Sequence, residues 1–144
     1  MYDNPAEILV YHCRNLRLFE NGSHKSFSHA HAGVRLVAIP CSGKVEAHHL
    51  LKSLAGGVQG VLVLACAQQA CRFMEGSSRS AKRVEYARLW LTKLDIEPER
   101  IEFRRIPPMD VGALEEALSE FSERVRSFGP VTTAREPFKK SKTL

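Results

Sequence analysis

The chain has 144 residues, of which 44% are hydrophobic, and it carries a formal net charge of +5. This length fits one domain with a single core, and no apolar stretch approaches the roughly 18 residues that span a bilayer. The N-terminus lacks the basic start and apolar middle of a signal peptide, which predicts a cytoplasmic protein in which structural disulfides are improbable. The four cysteines are therefore expected to serve metal binding or redox chemistry.

Four apolar segments are predicted to be β-strands, and they cover residues 8–12, 34–39, 60–65 and 101–106. The third segment is continuously apolar, as expected for a strand that is buried on both faces of a sheet. The fourth alternates apolar and charged residues and ends at Pro107-Pro108, so we predict an edge strand there.

Three segments have the apolar spacing of three and four residues that is typical of amphipathic helices. They are residues 45–54, residues 80–94, and a segment from Val111 to Phe128 with Asp110 as its predicted N-cap and Gly129-Pro130 at its end. Because strands and helices alternate along the chain, we predict an α/β fold. It is a small open parallel sheet of about four strands with helices on both faces, as in flavodoxin-like proteins.

Two segments fit neither pattern. Residues 14–33 are polar and contain three of the six histidines, and residues 130–144 are rich in Pro, Thr and Lys. We predict one domain over residues 1–129 and a basic C-terminal tail over 130–144 that is extended or disordered. His48 and His49 are neighbours on a predicted helix, so their side chains are expected to point apart and to make a poor metal pair.

Basic residues concentrate between Arg72 and Arg105 and again in the tail, at Lys139, Lys140 and Lys142. Such a patch can bind nucleic acid, but these residues are mixed with acidic ones and the aromatic residues are not spaced as a stacking platform. A solvated face or an acidic protein partner is the favoured interpretation, and we expect no nucleic acid partner.

The four cysteines lie at the ends of predicted strands. Cys13 follows the first strand, Cys41 the second and Cys66 the third, while Cys71 lies in the loop after Cys66. Because the carboxyl ends of parallel strands meet at one edge of a sheet, the four sulfurs are expected to share a site there. Four thiolates suit a [2Fe–2S] or a [4Fe–4S] cluster, and they also suit a structural Zn²⁺.

Other interpretations of these cysteines stay open. Free cysteines are often simply buried, and a zinc site, or no metal at all, would suit a structural adaptor. Cys66 and Cys71 could also form a dithiol relay within their loop. No Gly-rich phosphate loop and no Ser-His-Asp order is visible, so a hydrolase or a nucleotide-dependent enzyme is not expected.

Residues next to the cysteines are candidates for tuning a cluster. Ser42 and Gly43 form a small-residue turn whose backbone amides could donate hydrogen bonds to cluster sulfides, although an ordinary strand-to-helix turn has the same composition. Arg72 follows Cys71 directly and would favour a reduced, more negative cluster.

Several segments match motifs of one known family. They are the Cys-Ser-Gly-Lys-Val segment at 41–45, the strand at 60–66 with Cys71 five residues later, Glu75-Gly76, residues 81–85 and residues 94–101. Together they resemble the delta subunit of methyl-viologen-reducing hydrogenase over roughly residues 8–127. Relatives usually carry several cysteines around the end of the first strand, whereas this chain has Cys13 alone.

The resemblance implies a small α/β domain that binds one [2Fe–2S] cluster through Cys13, Cys41, Cys66 and Cys71. It implies a non-catalytic electron-transfer subunit of an oxidoreductase complex. Its partners would be an oxidoreductase, such as a hydrogenase or a formate dehydrogenase, and a flavoprotein of the heterodisulfide-reductase A type.

Overall fold

The computed structural model describes residues 8–19, 33–40, 45–66 and 76–131. The strands and helices in these ranges are, in order, β1 Ile8–Cys13, β2 Val34–Ile39, α1 Ala47–Ala55, β3 Gly60–Ala65, α2 Gly76–Lys93, β4 Ile101–Arg105 and α3 Val111–Phe128. A short 3-10 helix, Arg14–Leu16, follows β1, and another, Pro98–Arg100, precedes β4. No helix in the described ranges is both long and apolar enough to cross a membrane.

The four strands form one parallel sheet in the order β2-β1-β3-β4. Ile8 at the start of β1 pairs with Val34 of β2 on one side and with Gly60 of β3 on the other. The predicted α/β architecture with an open, flavodoxin-like parallel sheet is therefore confirmed. The position of β4 at an edge of the sheet is confirmed as well.

The core lies on both faces of the sheet because successive residues of each strand point to opposite sides. On one face, Val10, Leu62 and Leu64 belong to a buried cluster that α3 completes with Leu114, Leu118, Phe121 and Val125. On the other face, Leu9, Val61 and Val63 belong to a cluster that α1 and α2 complete with Leu50, Leu54, Val84 and Leu91. The helices therefore cover both faces, as predicted.

Some boundaries differ from the prediction. β1 includes Cys13, because this residue still pairs with Ile39 of β2. α2 begins at Gly76 rather than at residue 80, since its first turn is polar and carries no apolar signal. The expected divergence of His48 and His49 is wrong, because their ring centroids are 4.2 Å apart.

An ionic network joins the edge strand β4 to α3. Glu102 accepts hydrogen bonds from Arg104, at 2.5 Å, and from Arg124, and Arg104 also donates to Glu120 at 2.7 Å. Burial lowers the pKa of the Arg104 guanidinium, but the two carboxylates outweigh burial and raise this pKa overall. Charged side chains along an edge strand also oppose pairing with a foreign strand.

Candidate metal centre

Two of the four cysteines lie at the carboxyl edge of neighbouring central strands. Cys13 is the last residue of β1, and Cys66 directly follows β3. Their exposed fractions are 2% and 1%, and both belong to the cluster of buried residues that packs against α3. Water is therefore excluded from both thiols, which lie at the edge where open parallel sheets bind their ligands.

Pro40, which directly follows β2 and precedes Cys41, lies close to the Cys13 side chain. The Cys13 Sγ lies 4.0 Å from the carbonyl oxygen of Pro40, to which it is a weak donor. The register explains this proximity, because Cys13 pairs with Ile39, the residue before Pro40. The Cys13 sulfur therefore lies beside the carbonyl group of Pro40, the last described residue before Cys41.

The remaining predicted site residues lie outside the described ranges. These are Cys41, Ser42 and Gly43 after β2, and Cys71 and Arg72 between β3 and α2. The shared site of four sulfurs and the contribution of Ser42, Gly43 and Arg72 stay predictions. In the described part of the chain, no three His, Cys, Asp or Glu side chains form a metal-binding group.

The turns around this edge are tied to each other. Leu16 is the last residue of the 3-10 helix after β1. Its carbonyl oxygen accepts a hydrogen bond of 2.6 Å from the N–H of Met109, which lies after β4. Met109 has a φ of 61° and Arg17 a φ of 50°, so both adopt the left-handed conformation that non-glycine residues rarely adopt. The structure therefore fixes the loop after β4 against the turn that follows Cys13.

Three exposed arginines lie at this edge of the sheet. Arg14 and Arg17 are exposed in the turn after Cys13, and Arg105 is exposed at the end of β4. The sequence prediction singled out Arg72 alone, because it considered only direct neighbours of the loop cysteines. Proximity in the sequence to Cys13 would have identified Arg14 and Arg17 as well. Cations at this edge lower the electrostatic cost of gathering several thiolates.

Ser80 is a buried polar residue near the start of α2. Its exposed fraction is 1%, and its hydroxyl has no hydrogen-bond partner among the described residues. Buried hydroxyls without a partner are rare, and they often mark a place where a bound group or water completes the site. No pattern in the sequence distinguishes Ser80 from the other serines of this helix.

The donor chemistry fits an iron–sulfur cluster or zinc. Thiolates are soft ligands that bind iron–sulfur clusters, Zn²⁺ and Cu⁺, whereas Mg²⁺ and Ca²⁺ select oxygen ligands. The two described thiols are buried at one edge, beside segments that each contain one further cysteine. His49 is less suited to metal binding, because its Nδ1 already accepts the Glu46 N–H at 3.1 Å.

The chain matches the family model of the methyl-viologen-reducing hydrogenase delta subunit over residues 8–129. It is 34% identical over 97 residues to the iron-sulfur D subunit of the F420-non-reducing hydrogenase from Archaeoglobus profundus, and the match covers 67% of this chain and 71% of that protein. It is 33% identical over 100 residues to the iron-sulfur D subunit of the F420-non-reducing hydrogenase vhu from Methanopyrus kandleri, with 69% and 76% of the two chains covered.

A third relative is much larger than this chain. It is the A subunit of the ferredoxin:CoB-CoM heterodisulfide reductase from Methanosarcina mazei, to which the chain is 23% identical over 103 residues. The match covers 72% of this chain but 13% of that protein. A segment similar to this domain is therefore part of a longer polypeptide there.

Proposed function

The chain belongs to the methyl-viologen-reducing hydrogenase delta subunit family, and we propose that it is an electron-transfer subunit that holds one [2Fe–2S] cluster. Its ligands are Cys13, Cys41, Cys66 and Cys71. A cluster of this type accepts and releases one electron at a time, and its potential depends on charge, solvent exposure and hydrogen bonds to sulfur. The polypeptide binds no substrate of its own, so any reaction is carried out by the complex.

One observation supports this function more than any other. The buried Cys13 sulfur is 4.0 Å from the carbonyl oxygen that precedes Cys41, and the buried Cys66 ends the neighbouring strand. Two thiols held at one edge of a rigid sheet, each close to a segment with another cysteine, suit one four-thiolate site. The buried surroundings of Cys13 and Cys66 keep water from these two sulfurs, and the arginines at this edge would compensate thiolate charge.

The proposed partners are two oxidoreductase subunits. One is a hydrogenase, a formate dehydrogenase or a similar enzyme, and the other is a flavoprotein of the heterodisulfide-reductase A type. The names of the relatives support both, because they include hydrogenase subunits and the A component of a heterodisulfide reductase. The domain of residues 1–129, the basic tail of 130–144 and a cytoplasmic location also remain part of this proposal.

Metal analysis of protein purified without oxygen tests the cluster. We expect about two irons and two sulfides per chain and an electron paramagnetic resonance signal after reduction. Replacing any one of the four cysteines with serine should remove most of this signal. Ala70→Ser, which adds the same side chain next to Cys71, is the matched control and should leave iron content unchanged.

The alternatives give different results in the same samples. A structural adaptor would contain zinc or no metal and would give no redox signal, and its Cys66→Ser variant would lose assembly or stability first. A dithiol relay would show a Cys66–Cys71 disulfide that forms and breaks reversibly in alkylation and mass spectrometry. About four irons per chain, with the spectrum of a cubane cluster, would contradict the [2Fe–2S] assignment while retaining the family's electron-transfer role.

A further inference from the structure

The outer face of α2 exposes three large apolar side chains close together. The exposed fractions are 55% for Tyr86, 61% for Leu89 and 43% for Trp90. The Tyr86 and Trp90 rings are 6.5 Å apart between centroids in an edge-to-face arrangement. Leu89 lies three residues after Tyr86 on the same helix, a spacing that makes side chains neighbours, so the three residues form one patch. Clusters of exposed aromatic residues are uncommon on solvated surfaces and are typical of protein interfaces.

This patch is not part of the domain core. The opposite side of α2 buries Val84, Ala87 and Leu91 against the sheet and α1. These residues satisfy the amphipathic pattern that the fold requires. The exposed apolar residues are therefore additional to those that hold α2 in place.

The charges on α2 are strongly uneven. The helix contains five basic residues and one acidic residue, which are Arg79, Lys82, Arg83, Arg88, Lys93 and Glu85. By contrast, α3 on the other face of the sheet contains four glutamates and two arginines. The two helices, which cover opposite faces of the sheet, therefore carry opposite net charge.

Two lysines border the apolar patch along the helix. Lys82 lies one turn before Tyr86, and Lys93 lies one turn after Leu89. The Lys93 Nζ is 5.7 Å from the centroid of the Trp90 ring, so its charge lies over the aromatic surface. Positions 82, 86, 89 and 93 follow the three- and four-residue spacing by which a helix presents one stripe to a groove.

We infer that the α2 face, made of Lys82, Tyr86, Leu89, Trp90 and Lys93, is the docking surface for a different protein subunit whose apolar groove is bordered by carboxylates. The apolar centre supplies the buried contact, and the two lysines supply charge complementarity at its ends. Because this inference concerns a helix face, it does not depend on which metal the cysteines bind.

The composition of the face favours this partner over three others. Nucleic acid requires cations where the backbone phosphates lie, but the centre of this face is apolar. A second copy of the chain would bring like charges together, since antiparallel pairing of two α2 helices places lysine near lysine. A membrane surface would require a longer apolar stripe than three side chains provide.

A site-specific crosslink in the native complex tests the inference. The full chain, tagged in its own organism, carries Leu89→p-benzoylphenylalanine, with Glu116→p-benzoylphenylalanine on α3 as the control. We expect a crosslink from position 89 to an apolar segment flanked by Asp or Glu in another subunit. A crosslink to a second copy, no crosslink, or a chain that purifies alone would overturn the inference.

Substitutions then measure the contribution of the patch. Leu89→Asp should reduce the co-purified partner about tenfold or more, whereas Thr92→Asp, on the same exposed helix, should reduce it much less. Lys93→Glu should weaken the complex, and changing the crosslinked carboxylate of the partner to Lys should restore it. If the pair of exchanged charges, Lys93→Glu with Lys in the partner, does not restore binding, the proposed charge complementarity is contradicted.

Two further measurements separate this inference from other outcomes. Iron content should be the same in Leu89→Asp as in the unaltered chain. Loss of iron without loss of the partner would therefore bear on the cysteine site and not on the α2 face. Trp90 is the only tryptophan of the chain, and its fluorescence therefore reports on this face. Titration with duplex DNA or phosphatidylglycerol vesicles at physiological salt should leave the emission maximum unchanged, and a shift would indicate nucleic acid or lipid instead.

Discussion

The guanidinium of Arg83, on α2, donates a hydrogen bond to the backbone carbonyl oxygen of Val45 at a distance of 3.2 Å. The same guanidinium lies 3.5 Å from the carboxylate of Glu46, the N-cap residue of α1. Val45 is the first described residue after the segment 41–44, which contains Cys41. Arg83 therefore holds Val45 and Glu46, the first described residues after Cys41, against α2.

We predict that Arg83→Met loosens the segment around Cys41 without unfolding the domain. A charge-assisted hydrogen bond contributes about 1.5–3 kcal/mol, so amide exchange near Val45 should accelerate about tenfold or more. Hydrogen exchange by mass spectrometry measures this change, and reconstituted iron should be lost faster to a chelator. Arg88→Met is the control, because Arg88 makes a surface ion pair with Glu85 at 3.8 Å. Equal exchange in both variants would contradict the role of Arg83.

The sequence predicted the architecture because each element carries its own local signal. The unbroken apolar run at 60–65 identified the central strand, and the spacing from Val111 to Phe128 identified the last helix. The start of α2 was missed because its first turn contains no apolar residue. Periodicity indicates which residues of a helix are buried, and it gives no signal where the first turn contains no apolar residue.

The site was predictable only in part. Strand ends and parallel topology were sufficient to place Cys13 and Cys66 at one edge of the sheet. Contacts such as Arg83 with Val45 join residues 38 positions apart and depend on how two helices pack, which no local pattern encodes. The sequence analysis also did not single out the exposed aromatic residues of α2, because it followed the buried stripe of Val84, Ala87 and Leu91, and Tyr86 and Trp90 lie outside that stripe.

The arginines after Cys13 should raise the potential of a bound cluster. A nearby positive charge favours the reduced, more negative state, so we predict that Arg14→Gln and Arg17→Gln each lower the midpoint potential by about 20–40 mV. Redox titration followed by electron paramagnetic resonance measures the shift. Arg126→Gln, in the last turn of α3 at the other edge of the sheet, should change the potential much less. A larger shift for Arg126→Gln would argue against a cluster next to Cys13.

Gly60 allows close contact between β3 and α3. A Cβ atom at this position would lie 2.8 Å from the Val125 Cγ2 and 3.0 Å from the Phe121 ring. We predict that Gly60→Ala lowers the free energy of unfolding by about 2 kcal/mol, since the helix must move away from the strand. Urea denaturation measures the loss. Gly56→Ala is the control, because its Cβ would meet atoms no closer than 3.5 Å, and it should change stability by less than about 0.5 kcal/mol.

Arg100 joins three chain segments at the amino edge of the sheet, opposite the cysteines. Its fully buried guanidinium donates to the Glu97 carboxylate at 2.6 Å, to the Gln59 carbonyl at 3.0 Å and to the Gly129 carbonyl at 2.7 Å. The Gln59 side chain in turn accepts the Val131 N–H at 2.9 Å. This network holds the chain where it leaves α3.

We predict that Arg100→Met lowers the free energy of unfolding by about 2–3 kcal/mol, because two backbone carbonyls lose a shared donor that water cannot readily replace. Arg100→Lys keeps the charge but lacks the planar fork, so it should recover only part of the stability. Iron content should not change, since the network lies at the edge of the sheet away from Cys13 and Cys66. Equal stability of the Met and Lys variants would show that the retained charge recovers none of the stability, and loss of iron would show that the two edges are coupled.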